Sequence, residues 1–161
     1  MAVLQQAGRI ALAQAIASQT IHIAWGRGLP AWDAAPQPEP VDAIALVDEI
    51  GRRLVSEVLF VTPDPQGDIE LPSGSRYRIS AQPTTYLMLR ATFGFTDAQG
   101  EDVREMAVFF GTQAQPEVPA GQRWLLPPDI AHPGQIYTLE RRTAVYRSGA
   151  TRQVEEIILP F

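Results

Sequence analysis

The sequence predicts an α+β protein, in which an N-terminal helix and a short second helix pack on a mainly antiparallel β-sheet or sandwich with a C-terminal β-hairpin. Three observations lead to this fold class. Apolar residues recur every three to four positions in the alanine-rich segment 2–18, as on one face of a helix. Two pairs of apolar segments, within 87–111 and 136–159, are each joined by a polar turn that contains glycine. Helices followed by successive hairpins favour an antiparallel sheet.

The predicted N-terminal helix covers residues 2–18, where dense alanine adds intrinsic helix propensity. Its apolar surface is wide, so we expect it to be covered by its own domain or by another subunit. The spacing rests on Leu4, Ala7, Ala11 and Ala15, with Ile10, Leu12 and Ile16 nearby.

The next segments alternate between strand, loop and helix patterns. Residues 21–25 alternate as a strand does, and Gly26 and Gly28 then break it. Residues 29–40 hold four prolines and Trp32, which predicts an ordered loop, called the proline loop below. Residues 41–53 predict the short second helix, with an acidic start, an apolar face and Gly51 at the end.

The remaining chain reads mainly as strands. Strands are predicted at 54–62 and 75–80, with brief pairing at 68–71. A long hairpin is predicted from Leu87 to Gly111, with arms 85–95 and 103–111 around the polar tip 96–102. Residues 113–123 form a Pro/Gly loop, and 124–130 are irregular because Pro127 and Pro128 prevent pairing. The last hairpin joins 136–146 to 151–159.

Composition excludes several classes of protein. A chain of 161 residues fits one domain, or one domain with an arm, and it has no cysteine for disulfides or thiol catalysis. A net charge of −5 argues against nucleic acid as a partner, because phosphate contacts need a basic face. No apolar window is long enough for a membrane span, so no membrane partner is expected.

All 13 basic residues are arginine. A GC-rich genome is the plainer cause, although arginine is also favoured at interfaces. In the C-terminal strands, Arg141 and Arg142 accompany Glu140, Glu155 and Glu156. These charges either pair across the sheet or fix the register against another chain, and the sequence leaves both open.

No motif indicates catalysis. His22 and His132 are far apart and neither has a carboxylate at metal-ligand spacing. There is no nucleophile elbow and no phosphate-binding glycine loop. We therefore expect no catalytic residue, no cofactor and no metal, and an enzyme would need a pocket where a histidine meets a carboxylate.

The three tryptophans, Trp25, Trp32 and Trp124, lie beside loops that contain glycine or proline. They fit three roles: plugs of sheet edges or loops, parts of a subunit interface, or platforms for sugar stacking.

Three segments resemble the N-terminal, baseplate-attachment domain of phage tail-collar fibre proteins. The first is the helix and strand that end in Trp-Gly-Arg-Gly at 25–28, and the second is 45–52. The third comprises Arg-Ala-Thr-Phe at 90–93 and the strand 103–109, where Met106 and Ala107 replace an isoleucine and a glycine of the family. The resemblance implies an attachment-like domain at 1–111, extended by a loop and β-hairpin at 112–161.

The resemblance also implies a function. The expected protein is a virion structural component of a tailed phage or phage-like particle, acting at the baseplate or as a tail-fibre adaptor by protein–protein contact. Its expected partners are other tail and baseplate proteins and the tail fibre. We expect a homo-oligomer, a trimer among the options, or many copies in an assembly, located in the virion and made in the host cytoplasm. The alternative is a carbohydrate- or receptor-binding module of a phage tail.

The predicted contact surfaces are the N-terminal helix and the proline loop. The candidate partner-binding residues are Leu4, Ile10, Ile16, Trp25, Arg27, Trp32, Trp124, Arg141 and Arg142.

Overall fold

The computed structural model describes all 161 residues, Met1–Phe161. Its single α-helix is α1 (Gln6–Ala17), and short 3₁₀ helices cover Pro30–Asp33 and Pro127–Asp129. The strands are β1 (Ile21–Gly26), β2 (Glu49–Leu54), β3 (Glu57–Pro63), β4 (Ile69–Glu70), β5 (Arg76–Ile79), β6 (Tyr86–Phe93), β7 (Asp102–Phe110), β8 (Gln113–Ala114), β9 (Trp124–Leu125), β10 (Ile130–His132), β11 (Gln135–Tyr146) and β12 (Gln153–Pro160).

The chain divides into two compact units, each built from separate stretches of sequence. The first unit contains Met1–Gln19, Ser56–Ala91 and Val154–Phe161. The second unit contains Thr20–Val55 and Thr92–Gln153. The division into an attachment-like domain at 1–111 and an extension at 112–161 stays a prediction.

The first unit combines α1 with a five-stranded sheet in the order β12-β6-β3-β5-β4. Its core includes Val61, Ile69 and Met88, with partly buried neighbours such as Tyr77 and Tyr86. The predicted N-terminal helix is confirmed, although it begins at Gln6. Only Ala13 of α1 is buried, so most of its apolar surface is left uncovered.

The second unit is a five-stranded sheet in the order β11-β7-β1-β2-β9, beside the small pair β10-β8. The strand pairs are antiparallel, as predicted: β1 lies between β2 and β7, with Ala24 opposite Arg52 and Ala107. All six residues of β1 are buried, although alternation predicted only one covered face. Buried strands with apolar side chains on both faces hold the centre of a sheet together.

The predicted hairpin at 87–111 is wrong. Its first arm, β6, lies between β12 and β3, whereas its second arm, β7, lies between β11 and β1. The connecting residues 94–101 are stabilised by Asp97, whose carboxylate accepts the N–H of Gly94 at 2.7 Å and a hydrogen bond from Arg53 at 2.8 Å. The sequence pattern is the same whether or not the two strands pair with each other: an apolar strand, a polar turn that contains glycine, and a second apolar strand.

The predicted C-terminal hairpin is wrong for the same reason. β11 pairs with β7, and β12 is the neighbour of β6. The two connections bond to each other, because Gly100 N–H donates to the carbonyl of Arg147 and Arg147 N–H donates to that of Glu101, both at 2.8 Å. The buried guanidinium of Arg147 also donates to the Gly94 carbonyl at 3.0 Å. These contacts provide hydrogen bonds to backbone groups that, in a hairpin, would be bonded within the turn.

The second predicted helix is also wrong. Residues 41–48 form turns and irregular backbone, and β2 begins at Glu49. Leu46 and Ile50 are buried, so their four-residue spacing matches a helical face, but Ile50 belongs to a strand. β2 pairs with β1 from His22 to Gly26, with a shift of register after Trp25. This tertiary pairing outweighs a weak local propensity.

Candidate partner-binding surface

The proline loop and the residues after it form a long irregular segment of the second unit. Only the 3₁₀ helix Pro30–Asp33 is regular before β2, and every residue from Asp33 to Asp42 is exposed. Each residue that precedes a proline is biased toward an extended backbone, which keeps such a segment from forming a helix. Long loops without secondary structure inside compact proteins are usually functional.

Arg104 of β7 fixes the start of this segment. Its guanidinium donates to both carboxylate oxygens of Asp33, at 2.9 and 2.8 Å, and also approaches Asp102 at 3.4 Å. These hydrogen bonds hold the pKa of the Asp33 carboxyl below its ordinary value. Bidentate pairs of this kind set the orientation of both partners.

Arg141 of β11 fixes the middle of this irregular segment. Its backbone N–H donates to the Glu39 carboxylate at 3.0 Å, and its guanidinium donates to the carbonyl of Pro38 at 2.7 Å. The same guanidinium lies 4.2 Å from the centroid of the Trp32 ring. The hydrogen bond from the Arg141 N–H is the main cause that lowers the pKa of Glu39. Because β11 is an edge strand, Glu39 occupies a donor that a further strand would otherwise use.

Glu105 of β7 fixes the end of the segment. Its carboxylate is fully buried, accepts the N–H of Val47 at 2.9 Å and lies 3.7 Å from Nε of Arg141. Leu46 packs into the core beside Ala107 and Phe109. The segment is therefore held at its two ends and at one middle point.

Two cavities separate the proline loop from β11 on either side of this middle point. The larger, about 540 Å³, is lined by Trp32, Gln37 and Glu39 on the loop and by Arg141–Thr143 on the strand. The smaller, about 330 Å³, lies between residues 39–43 and residues 136–139. The loop thus meets β11 at Arg141, through Trp32, Pro38 and Glu39, and borders a cavity on either side of that contact.

Arg27 forms a separate cluster of charges at the end of β1. Its guanidinium donates to both oxygens of Glu101 at 2.7 Å and to Asp48 at 2.9 Å. The hydrogen bond to Glu101 is the main cause that raises the pKa of Arg27, and the same bond lowers the pKa of Glu101. Arg27 joins three chain segments, and both its carboxylate partners belong to the same unit.

The tryptophan rings are covered by other groups of the protein. Trp25 is fully buried and stacks on Phe93 with ring centroids 3.4 Å apart. Trp124 meets the edge of Phe93 with centroids 5.8 Å apart. Trp32 lies under the Arg141 guanidinium, and a Cβ atom at Gly28 would come within 2.3 Å of its ring. Sugar stacking needs a free ring face.

The histidines lie apart from this segment. His22 is buried in β1, and burial together with the charge of Arg52 lowers its pKa to about 4. His132 is exposed in β10. No three His, Asp or Glu side chains come close enough together to hold a metal ion. No helix is both long and apolar enough to cross a membrane.

Large apolar side chains are exposed at several places in the chain, among them the irregular segment and the N-terminal helix. On the irregular segment, Val41 is fully exposed and Ile44 is 86% exposed. On and before α1, Leu4 and Leu12 are 55% and 50% exposed. Apolar side chains that cluster on a surface commonly mark a protein–protein contact.

The comparison with protein families covers the whole chain. Residues 1–161 match the family model described as baseplate wedge 3 tail fiber network component. The chain belongs to this family. No curated protein matches the chain. The prediction of a phage tail and baseplate structural protein is confirmed at this level, and the match includes residues 112–161, which the resemblance did not cover.

The candidate residues have different surroundings in this baseplate wedge 3 tail fiber network component. Leu4 is exposed, Ile10 and Ile16 are partly buried, and Trp25 lies in the core, where no partner can reach it. The structure brings Trp32 and Arg141 together. Arg142 lines the same cavity as these two residues and lies 3.6 Å from Glu140. Half-exposed Arg27 and partly buried Trp124 lie elsewhere.

Sequence reasoning missed Val41, Ile44 and Val47 as surface residues. Ile44 and Val47 were assigned to the apolar face of a helix that does not form, and Val41 was taken as the first residue of that helix. The signal that could have identified them is their position directly after three alternating prolines, where apolar residues have no strand or helix to bury them.

Proposed function

We propose that the chain is an adaptor that joins baseplate proteins to the tail fibre by protein–protein contact, without catalysis. It is made in the host cytoplasm and enters the virion in several copies. The contacts are made by α1 and by the irregular segment 29–48. The family description and the exposed apolar side chains both support this role.

The observation that carries the proposal is the exposure of Val41 and Ile44 on an anchored segment. Complete burial of a valine or isoleucine side chain stabilises a complex by roughly 1.5–3 kcal/mol before the costs of association. Three ionic or hydrogen-bonded anchors, at Asp33, Glu39 and Val47, hold the segment in place. Anchoring lowers the entropy that binding must overcome, so the segment suits a permanent contact in an assembly.

The covered tryptophan rings favour protein contact over a carbohydrate-binding module. Trp32 is the tryptophan of the proline loop and is partly buried, and Arg141 and Gly28 already pack against its ring.

The experiment replaces Val41 and Ile44 by aspartate, singly and together, in a phage that lacks its own copy of the gene and receives the variant from a plasmid. We expect each variant to keep its free energy of unfolding within about 0.5 kcal/mol, because the side chains are exposed. We also expect the double variant to be lost from purified virions. The matched control is Ile79→Asp, at an exposed isoleucine of β5. Normal incorporation of the double variant would contradict the proposal.

A further inference from the structure

We propose that a cavity between the two edge strands of the first unit, β4 and β12, binds an extended basic segment of another protein, which adds to the sheet as a further strand. The inference goes beyond the proposed function, because the lining of this cavity includes neither α1 nor the irregular segment. It commits to one kind of occupant, an extended peptide that carries both basic and apolar side chains.

The sheet of the first unit has both of its edge strands at one cavity. In the strand order β12-β6-β3-β5-β4, the strands β12 and β4 are outermost. Both nevertheless line a single cavity of about 640 Å³, called the edge cavity below. Its lining includes Glu70 and Leu71 on the β4 side, Arg90 of β6, and residues 154–156 of β12. The sheet therefore curves far enough for its two edges to border the same space.

The edge strand β12 suits an occupant that is itself a strand. It is eight residues long, and in the sheet it has a neighbouring strand, β6, on one side only. An edge strand presents a row of backbone N–H and C=O groups, and extended peptides bind other proteins by adding to such an edge. Because β4 has only two residues, an added strand would pair mainly with β12. The strand edge thus favours an extended peptide over a helix.

The charges of the edge cavity favour a basic occupant. Glu70, Glu155 and Glu156 line it, and Arg90 is the one cation of the lining. The Arg90 guanidinium already donates to Glu156 at 2.7 Å and to a glutamate of β3. Glu70 pairs with Arg76 outside the lining, and its side chain stays 55% exposed. An excess of negative charge in a cleft attracts basic chains and disfavours acidic ones.

Apolar side chains beside these charges indicate that the occupant is not purely basic. Val154 is 52% exposed on the β12 side of the edge cavity. Leu71 and Pro72 line it on the β4 side. Burial of apolar surface is the main favourable contribution to most protein association. A peptide that combines apolar with basic side chains therefore fits the edge cavity better than a purely basic one.

The test titrates the full chain into a synthetic probe, a fluorescently labelled hexapeptide of alternating valine and arginine, and follows fluorescence anisotropy. We expect saturable binding that weakens as the salt concentration rises, because salt screens partly exposed charges. One control peptide carries glutamate in place of arginine. A second keeps the arginines but is N-methylated at every peptide bond, which removes its backbone donors. We expect neither control peptide to bind measurably.

Val154→Lys and Ile79→Lys are the matched protein variants. Both side chains are exposed on strands of the same sheet, by 52% and 60%, but Ile79 does not line the edge cavity. The lysine in Val154→Lys removes an apolar contact and repels the arginines, so we expect the dissociation constant of the valine–arginine peptide to rise by about tenfold. Ile79→Lys should leave it within about twofold. Both variants should keep the melting temperature of the native chain, because exposed substitutions have small effects on stability.

The proposal is overturned if the valine–arginine peptide shows no saturable binding, if either control peptide binds as tightly, or if Ile79→Lys weakens binding as much as Val154→Lys. It is also overturned if a second copy of the chain fills the edge cavity, which sedimentation would show as a dimer that the peptide dissociates. Failure here leaves the proposed function to its own test, because virion incorporation of the Val41 and Ile44 variants reports on the irregular segment.

Discussion

Acidification from pH 7 to pH 5 is expected to destabilise the protein through His22. This side chain is 5% exposed, and its Nδ1 has no hydrogen-bond partner. Burial is the larger cause and the charge of Arg52 the smaller cause that lower its pKa from 6.5 to about 4. In the unfolded chain the imidazole titrates near its ordinary pKa, so the unfolded state binds more protons than the folded state between these two values. The stability that neutral His22 contributes is therefore fully present above pH 6.5 and is lost as the pH falls toward 4.

The expected loss follows from the two pKa values. Linkage gives about 2 kcal/mol between pH 7 and pH 5, and about 3 kcal/mol in total below pH 4. The carboxyl groups of Asp33, Glu39 and Glu101 have lowered pKa values. Their contributions to the free energy of unfolding are therefore lost only as the pH falls below the ordinary pKa of a carboxyl group. They do not account for a loss above pH 5.

The assay is urea unfolding followed by tryptophan fluorescence at pH 7 and pH 5, for the native chain and for His22→Leu. Leucine cannot be protonated, and every other titratable group is common to the two proteins. We expect the variant to lose about 2 kcal/mol less than the native chain across this interval. Equal losses in the two proteins would refute the assignment of His22 as a buried neutral histidine.

Two further predictions concern packing. Phe93→Ala should lower the free energy of unfolding by about 3–5 kcal/mol, because this ring is fully buried and stacked on an indole. Urea unfolding measures this change. Phe95→Ala, at a ring that is 45% exposed, should lower the free energy of unfolding by less. Gly67→Ala should lower the melting temperature, because the new Cβ would lie 2.1 Å from a carbonyl oxygen of β5. Gly121→Ala, with no heavy atom within 4 Å of its Cβ, is the matched control.

Elements governed by local patterns could be predicted from the sequence. The alanine-rich spacing predicts α1, and alternation predicts β1, because each pattern records which residues share a face of one element. The strands β6, β7, β11 and β12 were also predicted close to their observed positions.

Strand pairing could not be predicted in the same way. β6 and β7 have the sequence of a hairpin, yet each pairs within a different sheet. The deciding contacts, such as those of buried Arg147 with Gly94 and Gly100, join residues about fifty positions apart. A local pattern contains no information on such long-range partners.

The candidate surface was predicted in part. Proline spacing identified the loop, and Trp32 and Arg141 were both among the candidates, although nothing in the sequence indicated that they stack. The contact between them depends on the position of β11 at the sheet edge. Ile44 was missed because a helical spacing of apolar residues was mistaken for one face of a helix, and Val41 was missed because it was taken as the first residue of that helix.

The most direct test of the adaptor role is site-specific photo-cross-linking in assembled virions. Because the chain has no lysine, lysine-directed reagents could attach only at its amino terminus, so a photoreactive phenylalanine derivative is placed at Val41, at Leu12, or at the exposed control position Ile79. We predict that Val41 and Leu12 cross-link to other baseplate or fibre proteins, identified by mass spectrometry, and that Ile79 does not. Virions in which neither Val41 nor Leu12 cross-links to another tail protein would contradict the account.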